Sequence, residues 1–171
     1  MSVREEKKEA KRQEIFTKAM TLFETYGFDQ VTVAQIAEVC GIAKKTLFQY
    51  IKSKEALIFV NDRELLDQLL SALTAWNYPW EDFQKWVLTV SLDEDETRFL
   101  SLPQLIDTSE TLKRRLLEMW QMYELEIAQA LTDQKKCAAL DSKILANKMV
   151  LVFRLSFEKI APLKTILKQL K

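Results

Sequence analysis

The chain has 171 residues, of which 48% are hydrophobic and 29% are charged, with equal numbers of acidic and basic side chains. This composition is typical of a globular protein and excludes a disordered or fibrous one. Only two glycines and three prolines interrupt a sequence rich in helix-forming residues, which predicts an all-α fold.

The sequence offers little chemistry for an enzyme. It contains no histidine, and Cys40 and Cys137 lack the spacing of metal ligands. No nucleophile–base pair or phosphate-binding loop is recognisable, so we expect no catalytic residue, no metal site and no cofactor. The charged N-terminus lacks the apolar core of a signal peptide, and no segment reaches the roughly 20 apolar residues of a membrane span. These features predict a reduced cytoplasmic protein without a membrane partner.

Charge is distributed unevenly along the chain. Residues 1–60 carry ten Lys/Arg against eight Asp/Glu, whereas residues 61–140 carry eight against fifteen. The first segment is therefore mildly basic and the middle acidic, which favours the N-terminal part as the surface that meets an anionic partner such as DNA.

Three helices are predicted in the first 50 residues. Apolar residues at helical spacing predict a helix from about Glu5 to Tyr26, ended by Gly27. A short helix is predicted over Val33–Cys40 and another over Lys44–Tyr50, with a turn at residue 41 between them.

The sequence also predicts helices in the rest of the chain. Ser53 is predicted to cap a long helix that runs from Lys54 to about Ala75, and Pro79 to occupy the first turn of the next. An acidic loop at Asp93–Glu96 precedes a short or kinked helix over Thr97–Ile106.

The two last long helices, at about 109–131 and 141–160, are too apolar for the surface of a monomer. We expect them to pair with their symmetry mates in a four-helix interface, which would make the protein a homodimer.

The stretch from Val31 to Leu57 contains the most informative pattern. Two short helices that pack closely around a tight turn need a small residue in the first helix and a positive backbone φ in the turn, and Ala37 and Gly41 supply them four residues apart. Thr32 suits the N-cap, and apolar residues occupy the inward positions. The pattern indicates a helix-turn-helix, although two helices of an ordinary bundle remain the alternative.

Further residues around this motif follow a known family pattern: Arg12, Ile15, Ala19, Leu22, Phe23, Gly27, Phe28, Val31, Thr32, Val33, Ile36, Ala37, Gly41, Ile42, Thr46, Leu47, Phe48, Tyr50, Ser53, Lys54, Glu55, Ala56 and Leu57. With them, residues 12–57 resemble the DNA-binding domain of TetR-type regulators. The resemblance implies an N-terminal three-helix helix-turn-helix DNA-binding domain at residues 1–53. A helical-bundle domain for effector binding and dimerisation would follow at residues 54–171.

The resemblance also implies roles for individual side chains. The residues expected to bind DNA are Thr32, Lys44, Lys45, Thr46, Phe48, Gln49, Tyr50 and Lys54. The helix over Lys44–Tyr50 would lie in the major groove, with Lys45, Thr46 and Gln49 at base edges and most of the others at phosphates. Phe48 stands where the family usually has tyrosine, so one hydroxyl to phosphate is missing.

The C-terminal half is rich in aromatic residues that could line an apolar pocket between helices. The residues expected to bind a ligand are Leu69, Leu73, Trp76, Phe83, Trp86, Phe99, Trp120 and Tyr123. Ordinary core packing explains each of them equally simply.

The sequence therefore predicts a regulator of transcription that binds double-stranded operator DNA as a dimer. The leading hypothesis is a repressor that a small hydrophobic or aromatic effector releases from an inverted repeat. The alternative is a DNA-bound interaction protein of the same fold that acts through a protein partner without a small-molecule switch. A filled core and an exposed apolar patch would favour this alternative.

Overall fold

The computed structural model describes residues 3–59, 63–90 and 102–170. The predicted acidic loop at Asp93–Glu96 and the predicted pocket residue Phe99 lie outside these residues. The described residues form helices joined by turns, as the all-α prediction requires: α1 Val3–Tyr26, α2 Val33–Val39, α3 Lys44–Leu47, a 3-10 helix Glu55–Leu57, α4 Glu64–Leu73, α5 Pro79–Val87, α6 Leu102–Asp107, α7 Glu110–Asp133, α8 Ala139–Phe157 and α9 Leu163–Gln169. None of the described helices has the length and hydropathy needed to cross a bilayer.

The chain divides into two compact units. The first contains residues 1–60 and 100–115, and the second contains residues 61–99 and 116–171. The first unit therefore includes α6 and the start of α7, which the predicted domain boundary after residue 53 assigns to the second domain.

Local signals define the helix ends in the first unit. Gly27 ends α1 with a φ of 81°, and its N–H donates to the carbonyl of Phe23 at 2.8 Å. Ser53 accepts a hydrogen bond from the backbone N–H of Ala56 at 3.2 Å, as its predicted role as a cap requires. The core behind these ends consists of fully buried side chains, including Ile15, Phe23, Ile36 and Leu47.

The prediction of one helix from Lys54 to Ala75 is wrong for the described residues. A 3-10 helix at Glu55–Leu57 is followed by α4, which spans only Glu64–Leu73. Leu57 and Ile58 are buried in the first unit, whereas Leu66 and the rest of the buried face of α4 belong to the second. The apolar residues of this segment are buried in two separate cores, so the chain does not continue as one helix. Tertiary packing here overrides helix propensity.

The second unit is built from α4, α5, most of α7, α8 and α9. Pro79 occupies the first turn of α5, as predicted, and the carboxylate of Asp82 accepts from the backbone N–H groups of Asn77 and Tyr78, both at 3.0 Å. These hydrogen bonds at the helix N-terminus hold the pKa of Asp82 below its usual value.

Charged side chains form tertiary hydrogen bonds near both ends of α4. Arg63, at its N-cap, forms a two-bond ion pair with Glu126 of α7, at 2.5 and 2.7 Å. At the other end, the ammonium of Lys136 donates to the carbonyl of Trp76, beyond the last turn of the helix. Lys136 therefore supplies a hydrogen-bond donor near a helix C-terminus, where carbonyl groups lack partners within the helix.

Candidate nucleic-acid interface

The first helix of the motif, α2, begins with a complete capping box. The hydroxyl of Thr32 accepts from the backbone N–H of Gln35 at 3.2 Å, and the side-chain oxygen of Gln35 accepts from the backbone N–H of Thr32 at 2.8 Å. The predicted cap at Thr32 is confirmed. Two otherwise unpartnered N–H groups are thereby satisfied, which fixes where α2 starts.

The turn after α2 is a Schellman motif centred on Gly41, whose φ is 64°. Its N–H donates to the carbonyl of Glu38 at 2.9 Å, and the N–H of Ile42 donates to the carbonyl of Ala37 at 3.0 Å. Residues with a Cβ rarely adopt this φ, so glycine is required for the backbone and not for space. The turn leads directly into α3, as the predicted helix-turn-helix requires.

The second helix of the motif is shorter than the predicted Lys44–Tyr50. The α-helical bonds of α3 span Lys44–Leu47, after which the N–H groups of Gln49 and Tyr50 donate to carbonyls three residues back, at 3.0 and 2.9 Å. The last turn is therefore tightened to the 3-10 type, which is common at helix C-termini.

One side of α3 is anchored in the core and the other faces outward. Leu47 is fully buried. The exposed side chains are those of Lys44, Lys45, Phe48 and Gln49, and those of Thr46 and Tyr50 are half-buried. Phe48 retains 47% of its exposed area, which is large for an aromatic side chain. We call Lys44, Lys45, Phe48 and Gln49 the outer face of α3.

The polar side chains on the outer face have no hydrogen-bond or ion-pair partners among the described residues. No acidic side chain of the described residues pairs with Lys44 or Lys45, and the amide of Gln49 is equally free. This face therefore carries two cations, one amide and one aromatic ring on a helix with a buried anchor. Such a set can contact phosphates and the edges of bases in a major groove.

Lys54, predicted to hold a phosphate, has internal partners. Its ammonium donates to the carbonyls of Phe28 and Val31 at 2.7 and 2.9 Å, and lies 4.1 Å from the centroid of the Phe28 ring. Burial lowers the pKa of Lys54. In this structure Lys54 fastens the α1–α2 loop, and a phosphate contact stays a prediction.

The sequence reasoning missed a charged cluster that ties α1 to the end of α2. Glu14 accepts from Lys11 and Lys18, both at 2.8 Å, and the ammonium of Lys11 also lies 3.4 Å from the carbonyl oxygen of Cys40. Lys11 thereby reaches the C-cap of α2, next to the Gly41 turn. The spacing of three and four residues along α1 is the signal that predicts both ion pairs.

The two lysines lower the pKa of Glu14 to about 2. A carboxylate whose pKa is lowered by folding stabilises the native state above its ordinary pKa of 4.5, and the contribution is lost as the pH falls toward 2. We expect Glu14→Gln to melt at a lower temperature than the wild type near pH 7, by a small margin because the ion pairs are only partly buried and solvent screens them. The difference in melting temperature between the two proteins should disappear as the pH falls from 4.5 to about 2.

Melting temperatures at several pH values would measure this margin. Glu38→Gln, on α2, controls for the loss of one exposed carboxylate. A margin that stays constant down to pH 2 would contradict the proposed role of the ion pairs.

Five of the residues predicted to bind a ligand make ring contacts in the second unit: Trp76, Phe83, Trp86, Trp120 and Tyr123. The Phe83 ring lies 6.3 Å from Trp76 and 6.1 Å from Trp86, and Trp120 lies 5.5 Å from Tyr123, all measured between ring centroids. Leu69 and Leu73 are fully buried in the same unit.

Phe153, which the predicted set of ligand-binding residues omits, joins the two aromatic groups. Its centroid lies 5.6 Å from that of Phe83 and 6.4 Å from that of Tyr123. The rings therefore contact one another, in edge-to-face geometries that are favourable for aromatic packing.

A separate groove in the second unit lies between α5 and α9. It has a volume of about 430 Å³, is open to solvent, and is lined by Gln84, Leu88, Lys164, Leu167 and Lys168. None of the residues predicted to bind a ligand lines this groove.

The fold and the outer face of α3 define a helix-turn-helix protein with a second, helical unit. Residues 15–59 match the family model of the bacterial regulatory proteins of the tetR family. Two relatives agree: the HTH-type transcriptional regulator RutR of Escherichia coli is 39% identical over 74 residues, which are 43% of this chain and 34% of RutR. The HTH-type transcriptional repressor Rv1474c of Mycobacterium tuberculosis is 33% identical over 55 residues, which are 32% of this chain and 29% of that protein.

Solved structures extend the similarity in fold along the chain. NalD, described as the secondary repressor of the MexAB-OprM multidrug efflux pump in Pseudomonas aeruginosa, superposes with a TM-score of 0.60 at 18% identity, covering 96% of this chain and 93% of NalD. The sequence matches, by contrast, span about a third of the length of the relatives. Residues 15–59 are therefore similar to a segment of the bacterial regulatory proteins of the tetR family, and the fold of the chain resembles that of NalD.

Proposed function

We propose that the chain is a dimeric transcriptional regulator that reads an inverted-repeat operator with the outer face of α3. The observation that carries this proposal is the combination of an anchored, capped helix-turn-helix with outward polar groups that lack internal partners. Lys45, Thr46 and Gln49 would read base edges, because glutamine can pair with adenine and lysine with guanine. Thr32, Lys44 and Tyr50 would hold phosphates on either side.

Dimerisation is supported by apolar side chains that the second unit leaves exposed. On α8 these include Leu140, Ile144 and Leu151, whose exposed fractions are 70%, 59% and 37%, and on α7 they include Leu117 and Leu125. The spacing in α8 places them along one side of the helix. A second copy would cover this surface, and the dimer would place two copies of α3 at the two halves of a palindrome.

We further propose that a small hydrophobic or aromatic effector releases the regulator from its operator. The aromatic cluster supplies the chemistry of an apolar site, and the cytoplasm is the compartment where DNA and effector would meet. A conformational coupling of roughly 1–3 kcal/mol would be sufficient to change operator affinity 5- to 150-fold.

A second candidate is regulation through a protein partner without an effector. The contacts between Phe83, Phe153 and Tyr123 favour it, because these rings pack against one another in the described part of the second unit. The exposed apolar residues of α7 and α8 would then include a surface for the partner.

Selection of the purified protein against random duplex DNA, read by sequencing, tests the proposal. We expect enrichment of an inverted repeat whose half-sites are separated by about one helical turn or a multiple of it. The salt dependence of binding to the selected site should be steep, since lysines at phosphates displace counterions. Enrichment of a single half-site would contradict the dimer, and weak binding without any motif would contradict the proposed operator recognition.

A further inference from the structure

The loop that leads into the motif is fastened by side chains from much later in the chain. This loop comprises residues 27–31, between α1 and the capping box of Thr32. The hydroxyl of Ser109 donates to a carboxylate oxygen of Asp29 at 2.9 Å, across 80 residues of sequence. Lys54 holds the carbonyls of Phe28 and Val31 on the same loop. The start of α2 is therefore positioned by groups outside the motif.

Ser109 is suited to this task because it is almost completely buried, with 1% of its area exposed. Its hydroxyl also accepts a hydrogen bond from the backbone N–H of Leu112 at 3.2 Å, as the N-cap of α7. Donor and acceptor capacities are thus both used, which keeps the hydroxyl in one orientation. Asp29, by contrast, is exposed, so ordinary core packing does not account for its placement.

The next turn of α7 contacts a residue that follows the motif in the sequence. The guanidinium carbon of Arg115 lies 5.5 Å from the centroid of the Phe59 ring, a cation–π geometry. Between Ser109 and Arg115, Leu112 is fully buried. Leu105 and Ile106 of α6 are buried in the same unit. The beginning of α7 therefore touches residues 29 and 59, which bracket the helix-turn-helix in sequence.

We propose that Asp29 and Ser109 are positioning residues for DNA binding, acting through the loop that sets the start of α2. This inference rests on the proposed function and names residues that position the same site. Loss of the hydrogen bond between Ser109 and Asp29 would release the loop and, with it, the start of α2.

A double-mutant cycle in the full-length protein tests the pair, with affinity measured on the selected operator. Asp29→Ala and Ser109→Ala should each weaken binding roughly 3- to 10-fold, the loss expected for one hydrogen bond. The double variant should lose no more than the larger single loss, because the two residues act as a unit. Asp29→Asn keeps an oxygen acceptor and should retain wild-type affinity.

Two controls separate positioning from other roles. The slope of log affinity against log salt should stay at its wild-type value in Asp29→Ala, whereas Lys44→Ala should reduce it by about 0.9 for each lost phosphate contact. Ser142→Ala removes an equally buried serine from the second unit and should leave operator affinity unchanged. Loss of affinity in Ser109→Ala but not in Asp29→Ala would mean that Ser109 acts only as a helix cap, and would overturn the proposal.

Amide hydrogen exchange without DNA provides a measurement that does not depend on an operator. We expect faster exchange at residues 29–36 in Asp29→Ala than in the wild type, because the start of α2 is no longer held. Unchanged exchange there would overturn the positioning role. A wild-type protein that selects no operator while Asp29→Ala accelerates exchange would instead contradict the proposed function and leave the positioning of the loop supported.

Discussion

Replacement of Lys45 and Gln49 together by alanine is expected to abolish operator recognition while leaving the fold intact. Both side chains lie on the outer face of α3 and have no partners among the described residues, so their removal leaves no buried group unsatisfied. A good base contact discriminates by about 1–3 kcal/mol, and a dimer would lose each contact twice. The expected loss is therefore at least 100-fold in affinity for the selected site, measured by titration with labelled duplex.

The matched control is Lys168→Ala with Gln169→Ala, an exposed lysine–glutamine pair in α9 of the second unit. It removes the same charge and amide from a different surface and should retain wild-type affinity. An equal loss on operator and random duplex in the Lys45/Gln49 variant would assign these residues to the backbone and refute base recognition. Unchanged affinity in the Lys45/Gln49 variant would mean that the protein recognises its operator with a surface other than the outer face of α3.

Phe83→Ala should be the most destabilising single substitution among those considered for the second unit. Phe83 is fully buried, and its ring contacts Trp80 and Phe153, each at 5.6 Å between centroids, as well as Trp76 and Trp86. Removing a buried phenylalanine ring costs about 3–5 kcal/mol, through lost burial and the cavity that remains. Denaturant unfolding would measure the decrease in the free energy of unfolding.

Tyr78→Ala, at the N-cap of α5, serves as the control because its side chain is 71% exposed. A change of at most about 0.5 kcal/mol is expected there. A loss below about 1 kcal/mol for Phe83→Ala would mean that the rings are loosely packed, and would support an effector pocket at this place. A large loss would favour the filled core that the protein-partner hypothesis requires.

The helix-turn-helix was predictable because its constraints are local. The cap at Thr32 needs only Gln35, three residues away, and the turn at Gly41 needs only a residue that tolerates a positive φ. The same is true of Gly27 at the end of α1 and Pro79 at the start of α5. In each case one residue type and its nearest neighbours determine the backbone.

The long helix from Lys54 was predicted wrongly because periodicity does not reveal which core a face will join. Leu57 and Leu66 both fit an apolar face, yet they are buried in different units. The exposure of the side chains on α3 follows from its one buried anchor, Leu47, so the outer face could be predicted even though the helix proved shorter.

Local sequence patterns were enough to predict the all-α class, the cap and turn of the motif, and the exposed side chains on the outer face of α3. Only the packing of whole helices brings distant groups together: Ser109 with Asp29, Arg63 with Glu126, and Phe153 with both Phe83 and Tyr123. Caps and turns form within a few residues, whose backbone geometry the local sequence restricts directly. Contacts across 60 to 80 residues depend on how whole helices pack, and many arrangements of the same helices satisfy the same apolar pattern.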